Sequence, residues 1–217
     1  VGPVTSPAMS EGGADSSAAL SQASSGAFQS DPEFFENTAF LGNSMIDDLY
    51  TYGLADGADF YFKTGLTVRT VFEETMNNRS VPVIDELKNG QYRDVFIMFG
   101  ENELGWAYAD VFIEEYGKVI DKVREYQPQA NIYVHSIFPV SASASQRNSF
   151  GVNNERIEEY NVLLRQMCQD KGVSYLDVAS VMKNQQGVLP EDAAYDGVHP
   201  NKEYCQKWVQ YIEQQIS

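Results

Sequence analysis

Short apolar runs rich in β-branched and aromatic residues recur along this chain at 38–42, 59–63, 94–99, 131–138 and 173–178. Each reads as a buried strand. Between them lie helical patterns, clearest at 110–126 (ending before Gln127-Pro128), 154–170 (ending at Lys171-Gly172) and 202–216. Residues 67–88 read as two shorter helices broken near 79–82. Parallel neighbours cannot be joined by a tight turn and need a crossover, so alternating strand and helix implies a parallel sheet covered on both faces. The expected architecture is a three-layer, flavodoxin-like α/β sandwich with a five-stranded parallel sheet in the order 2-1-3-4-5.

A chain of 217 residues, 43% of them hydrophobic, fills one well-buried α/β domain and is too short for two. The formal charge of −16, from 31 acidic and 15 basic residues, repels phosphate backbones and anionic bilayers. Nucleic acid and acidic lipid are therefore excluded as partners, and small neutral molecules fit better. No apolar run approaches the roughly 18 residues that crossing a membrane requires, so no membrane insertion is expected.

Residues 1–36 are rich in Ser, Ala and Gly and show no helical or strand period. They read as a disordered linker, with 37–217 as the folded domain. Such a segment resembles the spacer between a bacterial signal or anchor and the domain it presents, which implies a secreted or surface-tethered protein; the plainer reading is a disordered cytoplasmic tail. Cys168 and Cys205 are too few for a metal cage or a disulfide framework. The 2-1-3-4-5 order puts their helices on opposite faces of the sheet, so both are expected as buried free thiols.

Open α/β sheets bind ligands beyond the carboxyl ends of their strands, where the strand order reverses. Ser44 follows the first strand, Gly65 the second, and Gly100 and Asn102 the third. His199 follows the fifth strand, in Asp196-Gly197-Val198-His199. A serine hydroxyl is a weak nucleophile and needs an imidazole to take its proton, and that imidazole needs a carboxylate to fix its tautomer. Ser44, His199 and Asp196 supply the three. Each has a plainer reading: Ser44 as the N-cap of the following helix, Asp196 as a turn residue, His199 as a surface histidine, Asn102 and Gly65 as turn formers. Their convergence on one sheet edge favours the chemical reading. His135, inside a strand, reads as a packed structural residue. Glu101 and Glu103 read as capping or solvent-facing groups rather than a glycosidase pair. The two histidines lack ligand spacing to acids or thiols, so neither metal nor cofactor is expected.

These residues carry a resemblance to the SGNH hydrolases, also called GDSL-type esterases and acylhydrolases. Gly42-Asn43-Ser44 resembles their first block, Gly65 their second-block glycine, Gly100-Glu101-Asn102-Glu103 their Gly-x-Asn-Asp block, and Asp196-Gly197-Val198-His199 their Asp-x-x-His block. The resemblance implies Ser44 as nucleophile, His199 as base and Asp196 as its orienting acid. It also implies an oxyanion hole from the backbone N–H groups of Ser44 and Gly65 and the Asn102 amide, each donor contributing on the order of 3 kcal/mol. Asn43 and Glu103 stand where the family usually has Asp. Trp106 reads equally as a wall of an acyl or sugar pocket and as a core or lid packing residue. The expected function is a cofactor-free serine esterase acting on small acyl groups, acetyl first, possibly on carbohydrate. The alternatives are a lysophospholipase or thioesterase using the same triad, or a catalytically weak glycan-binding module.

Overall fold

The computed structural model describes Phe28 and residues 30–216. Five strands, β1 (Thr38–Gly42), β2 (Asp59–Phe62), β3 (Asp94–Met98), β4 (Asn131–His135) and β5 (Ser174–Leu176), pair in parallel in the order β2-β1-β3-β4-β5. Alternate side chains leave each strand on opposite faces and so feed two separate cores. Ala39, Leu41, Val95, Ile97, Ile132 and Val134 pack in one, beneath α2 (Ala109–Tyr126) and α4 (Asn154–Lys171). Phe40, Phe96, Met98 and Leu176 pack in the other, beneath α1 (Ser44–Thr51), α5 (Ala179–Met182) and α6 (Lys202–Ile216). Cys168 lies in the first core and Cys205 in the second, both buried and free.

The register of the second face is carried by aromatic rungs. Phe60, Phe40, Phe96 and Tyr133 occupy paired positions on β2, β1, β3 and β4 and stack successively at centroid distances of 5.4, 4.9 and 4.9 Å. Such pairs add about 0.5–1.5 kcal/mol each beyond area burial. A slip by one residue would turn every rung to the opposite face, so the ladder also holds the carboxyl ends of the strands level.

Three sequence expectations are corrected by packing. The linker, drawn to residue 36, ends earlier. Its residues 1–27 and 29 lie outside the described residues, but Phe35 is fully buried, Phe34 packs edge-on against it at 4.9 Å, and the Asp31 N–H donates to Glu213 at 3.1 Å. Two phenylalanines give this turn enough apolar surface to dock. The fourth strand stops at His135 rather than 138, because β5 offers so short a partner. Beyond it the Asn161 amide accepts the Ile137 N–H at 2.7 Å and donates to the Ile137 carbonyl at 2.9 Å, standing in for a neighbouring strand. Within 67–88 the two helices are 3₁₀ segments, Thr70–Phe72 and Val83–Asn89. Thr67 and Thr70 bind nearby backbone N–H groups with their hydroxyls, which competes with α-helix formation. α3 (Ala142–Arg147) and α5 are too short and too poor in period to announce themselves in the sequence.

His135 is fully buried between the sheet and α6, where its Nε2 accepts the Trp208 indole N–H at 2.8 Å. Burial holds its pKa down at about 3, against an ordinary 6.5. The unfolded chain takes up this proton near the ordinary value and the folded chain only near the depressed one, so acidification between the two favours unfolding. His135→Gln, which keeps an acceptor for Trp208 but cannot titrate, should lose less stability than the parent between about pH 7 and pH 4. Urea midpoints measured across that range check it; parallel curves would contradict it.

Candidate active site

The close approach of β1 to β3 requires glycine at the end of β1. A Cβ at Gly42 would lie 2.4 Å from the Met98 carbonyl oxygen, so no other residue fits between the paired strands. The chain then turns into α1, and the residue that caps the helix is Asn43, not Ser44. Asn43 is extended and its Oδ1 accepts the Met45 N–H at 3.0 Å. That corrects the N-cap reading of Ser44, which is the first residue of the helix. Its hydroxyl is free for another partner.

That partner is His199, whose Nε2 lies 2.9 Å from Ser44 Oγ. His199 Nδ1 in turn lies 2.6 Å from Asp196 Oδ2, while Asp196 Oδ1 accepts the backbone N–H groups of Val198 and His199 at 2.9 and 2.8 Å. A carboxylate at Nδ1 keeps the ring proton there and leaves Nε2 to accept from the serine hydroxyl. The turn bearing this pair is docked on α3. Gly197 adopts a positive φ of +79°, and a Cβ there would sit 2.5 Å from Ser141 Oγ. The Ser141 N–H donates to the Gly197 carbonyl at 2.8 Å, and Arg147 donates to the Asp196 carbonyl at 3.0 Å.

The loops after β2 and β3 are tied to each other. The Asn102 amide donates to the Leu66 carbonyl at 2.9 Å, next to Gly65, and Glu103 Oε1 accepts the Val68 N–H at 2.8 Å. One N–H of the exposed Asn102 amide is thus used to fix its orientation and the other is left over. Gly65 has a φ of +79° and is exposed. Glu101 links this region to the serine turn, its Oε2 accepting from the Asn43 amide at 2.7 Å. Trp106 is half-buried and carries the Arg69 guanidinium over its ring at 4.9 Å. With Asn102 it lines a cavity of about 610 Å³.

Carboxyl groups crowd the imidazole. Asp48 lies one helical turn beyond Ser44 on α1, with Oδ2 buried and unpartnered. Burial raises its pKa to about 6, with His199 opposing and Asp47 and Asp196 adding to the rise. For His199 burial disfavours the charged ring, but the hydrogen bond to Asp196 and the charges of Asp196, Asp48 and Glu101 outweigh it and raise the pKa above 6.5. Burial would likewise raise Asp196, yet the bonds it accepts from His199 and Val198 hold it below the usual carboxylate range.

The sequence model of the GDSL-like lipase/acylhydrolase family matches residues 40–206, a span that contains every residue of this site. The chain belongs to that family, the SGNH hydrolases. No curated protein matches it by sequence. Several solved structures share its fold. A Streptococcus pneumoniae protein named for platelet activating factor superimposes with a TM-score of 0.68 at 18% identity, covering 84% of each chain. The periplasmic domain of a Salmonella lipopolysaccharide acetyltransferase gives 0.62 at 19% identity, covering 83% of this chain and 84% of that one. A variant of a Geobacillus acetyl-xylooligosaccharide esterase gives 0.62 at 16% identity, covering 84% and 94%. Family membership makes the chain an ester-hydrolysing acylhydrolase.

Within this SGNH hydrolase the two departures from the family pattern make bonds of their own. Asn43 caps α1 and holds Glu101, and Glu103, on the loop after β3, is fully buried against the loop after β2 rather than facing solvent. Sequence reading passed over Asp48, although its spacing of four from Ser44 on one helix was a usable signal. It also passed over Arg147 and Ser141, whose placement comes from a helix with no periodic signature. Burial raises the Glu103 pKa to about 8, Glu101 adding to the rise and the Val68 N–H opposing it. A raised pKa means that stability is full below the ordinary 4.5 and is lost as pH rises through the folded value. Glu103→Gln should therefore match the parent in urea near pH 5 and exceed it near pH 9, because an amide mimics the neutral acid. Equal losses at both pH values would show that Glu103 is ionised in the folded chain.

Proposed function

We propose that this SGNH hydrolase is a serine esterase that removes small acyl groups, acetyl first among them, from hydroxyls of carbohydrate. The observation that carries this reading is the unbroken line of hydrogen bonds from Ser44 Oγ through His199 to Asp196. In this reading Ser44 Oγ attacks the acyl carbon while its proton passes to His199 Nε2, and Asp196 stabilises the imidazolium formed. The backbone N–H groups of Ser44 and Gly65 and the spare N–H of Asn102 receive the oxyanion. Collapse of the tetrahedral species expels the alcohol, which takes the proton from His199 and leaves an acyl-serine. Water, deprotonated by His199, then attacks the acyl carbon and frees the acid and Ser44.

The choice of a short acyl group draws on two supports. The cavity beside Asn102 has a mixed lining, with Asn148, Asn153 and Arg156 among Leu104, Trp106 and Phe150, which offers a long alkyl chain only part of an apolar wall. Two of the fold relatives above are named for acetyl transfer or acetyl-ester cleavage on saccharides. A lysophospholipase or thioesterase reading would need a longer apolar groove.

The test is a series of p-nitrophenyl esters of increasing chain length with the parent, Ser44→Ala, His199→Ala and the double variant. Rates should be highest for acetate and fall with length. Each single variant should lose on the order of 10³-fold or more in kcat, and the double variant little beyond that, because triad members act as a unit. Additive losses, or full activity in Ser44→Ala, would remove the acyl-serine mechanism.

His199 must be neutral to accept the serine proton, so activity rises as pH passes upward through its pKa. With that pKa raised, the midpoint of the kcat/KM profile should lie above 6.5. Asp48→Asn removes one of the charges that raise it and should shift the midpoint to lower pH. A flat profile in the parent, or an unmoved midpoint in Asp48→Asn, would contradict this account.

A further inference from the structure

The cavity beside Asn102 is electrostatically at odds with the rest of the chain. In a protein with 31 acidic residues, none of the described residues lining it is acidic, and the single charged one among them is Arg156. Among the described residues Arg156 pairs with no carboxylate. Its guanidinium donates instead to the Trp106 carbonyl and the Tyr160 hydroxyl, and it lies over the Tyr160 ring at 5.3 Å. Its Nε is buried and has no hydrogen-bond partner among the described residues. A buried N–H without an acceptor is costly, and a cation without a counter-charge in a half-buried site is costlier still. Arg156 also sits in the first turn of α4, where its own N–H is capped by Asn153 at 2.8 Å. The positive end of that helix adds to the local potential instead of offsetting it.

The rim of the cavity is strained. Phe150 is 94% exposed, with a φ of +54°, and it follows Asn148 at +50°. This left-handed backbone is uncommon for a bulky residue and recurs at ligand sites. The loop is pressed onto the one that follows Asn102: a Cβ at Gly105 would lie 2.5 Å from the Phe150 carbonyl oxygen. The arrangement places an exposed aromatic ring in the lining of the cavity that Trp106 also lines.

We propose that this cavity is a subsite for a carboxylate carried on the ester, in its acyl or its alcohol half, with Arg156 as the counter-charge. One cation matches one negative charge, and Trp106 and Phe150 supply the apolar walls for the carbon frame between that charge and the ester. The proposal rests on the esterase reading of Ser44 and Asn102, since Asn102 lines both the site and the cavity. Arg156 would then determine specificity, while the bond-breaking steps stay with Ser44 and His199.

Two matched pairs of esters test it. Mono-p-nitrophenyl succinate against its neutral methyl ester places the charge on the acyl half, and 4-acetoxybenzoate against methyl 4-acetoxybenzoate places it on the alcohol half. At low salt the parent should favour the charged member of one pair by roughly tenfold in kcat/KM, as expected for a charge-assisted contact. In Arg156→Gln that ratio should fall below one, because the net charge of −16 then repels the anion unopposed. Arg156→Lys should retain part of the preference. The preference should also decline with added salt in the parent itself, a measurement that needs no variant to fold. A parent ratio at or below one for both pairs, or a ratio unchanged in Arg156→Gln, would overturn the subsite while leaving the esterase standing. No hydrolysis of any of the four esters, together with no labelling of Ser44 by a fluorophosphonate, would overturn both.

Discussion

The contact between Gly42 and the Met98 carbonyl is the constraint on which the site depends. β1 and β3 pair in register up to these residues, and the absence of a side chain at Gly42 lets the two backbones close there. With the strand ends level, the turn into α1 presents Ser44 and the loop after β3 presents Asn102 on the same edge. The aromatic ladder from Phe60 to Tyr133 holds that register across four strands. Ser44, Asn102 and His199 accordingly lie beyond the strand ends, at the start of α1 and in the loops, where water and substrate can reach them.

Around the imidazole, placement of charge matters as much as placement of atoms. Asp196 alone orients the ring, but Asp48 and Glu101 also raise its basicity. In the proposed mechanism a more basic imidazole takes the serine proton more readily and is protonated over more of the acidic range, so its gain near neutrality is offset below it. Asn43 contributes by being neutral: an amide can both cap α1 and donate to Glu101, whereas a carboxylate there would face Glu101 as a like charge. The departure from the family pattern is thus accompanied by a bond that the family's aspartate could not make.

The parts of the molecule that could be read from the residues are those set by local chemistry. Strand positions, the three long helices and the order 2-1-3-4-5 follow from apolar runs, helical period and the handedness of crossovers. The Asp196-to-His199 spacing makes a tight turn whose acid caps its own backbone and reaches the ring, and that is local too. What could not be read is what depends on a partner far along the chain. Nothing near Phe35 indicates that it will be buried, nothing near Asn161 that it will finish a strand, and nothing in Ser141–Arg147 that a short helix will support the histidine turn.

By itself, then, the sequence determined the architecture and pointed to Ser44, His199 and Asp196, which the fold brings into one hydrogen-bonded line, because hydrophobic period and the scarcity of histidine leave few choices. Only the tertiary structure decided that Asn43 caps the helix and frees Ser44, that Glu103 is buried where its neutral form is favoured, and that Arg156 lines a cavity with no acid among the described residues to balance it. Each of these is a matter of which groups are taken from water and what meets them there. Desolvation and pairing are properties of the assembled surroundings, and no stretch of sequence carries them.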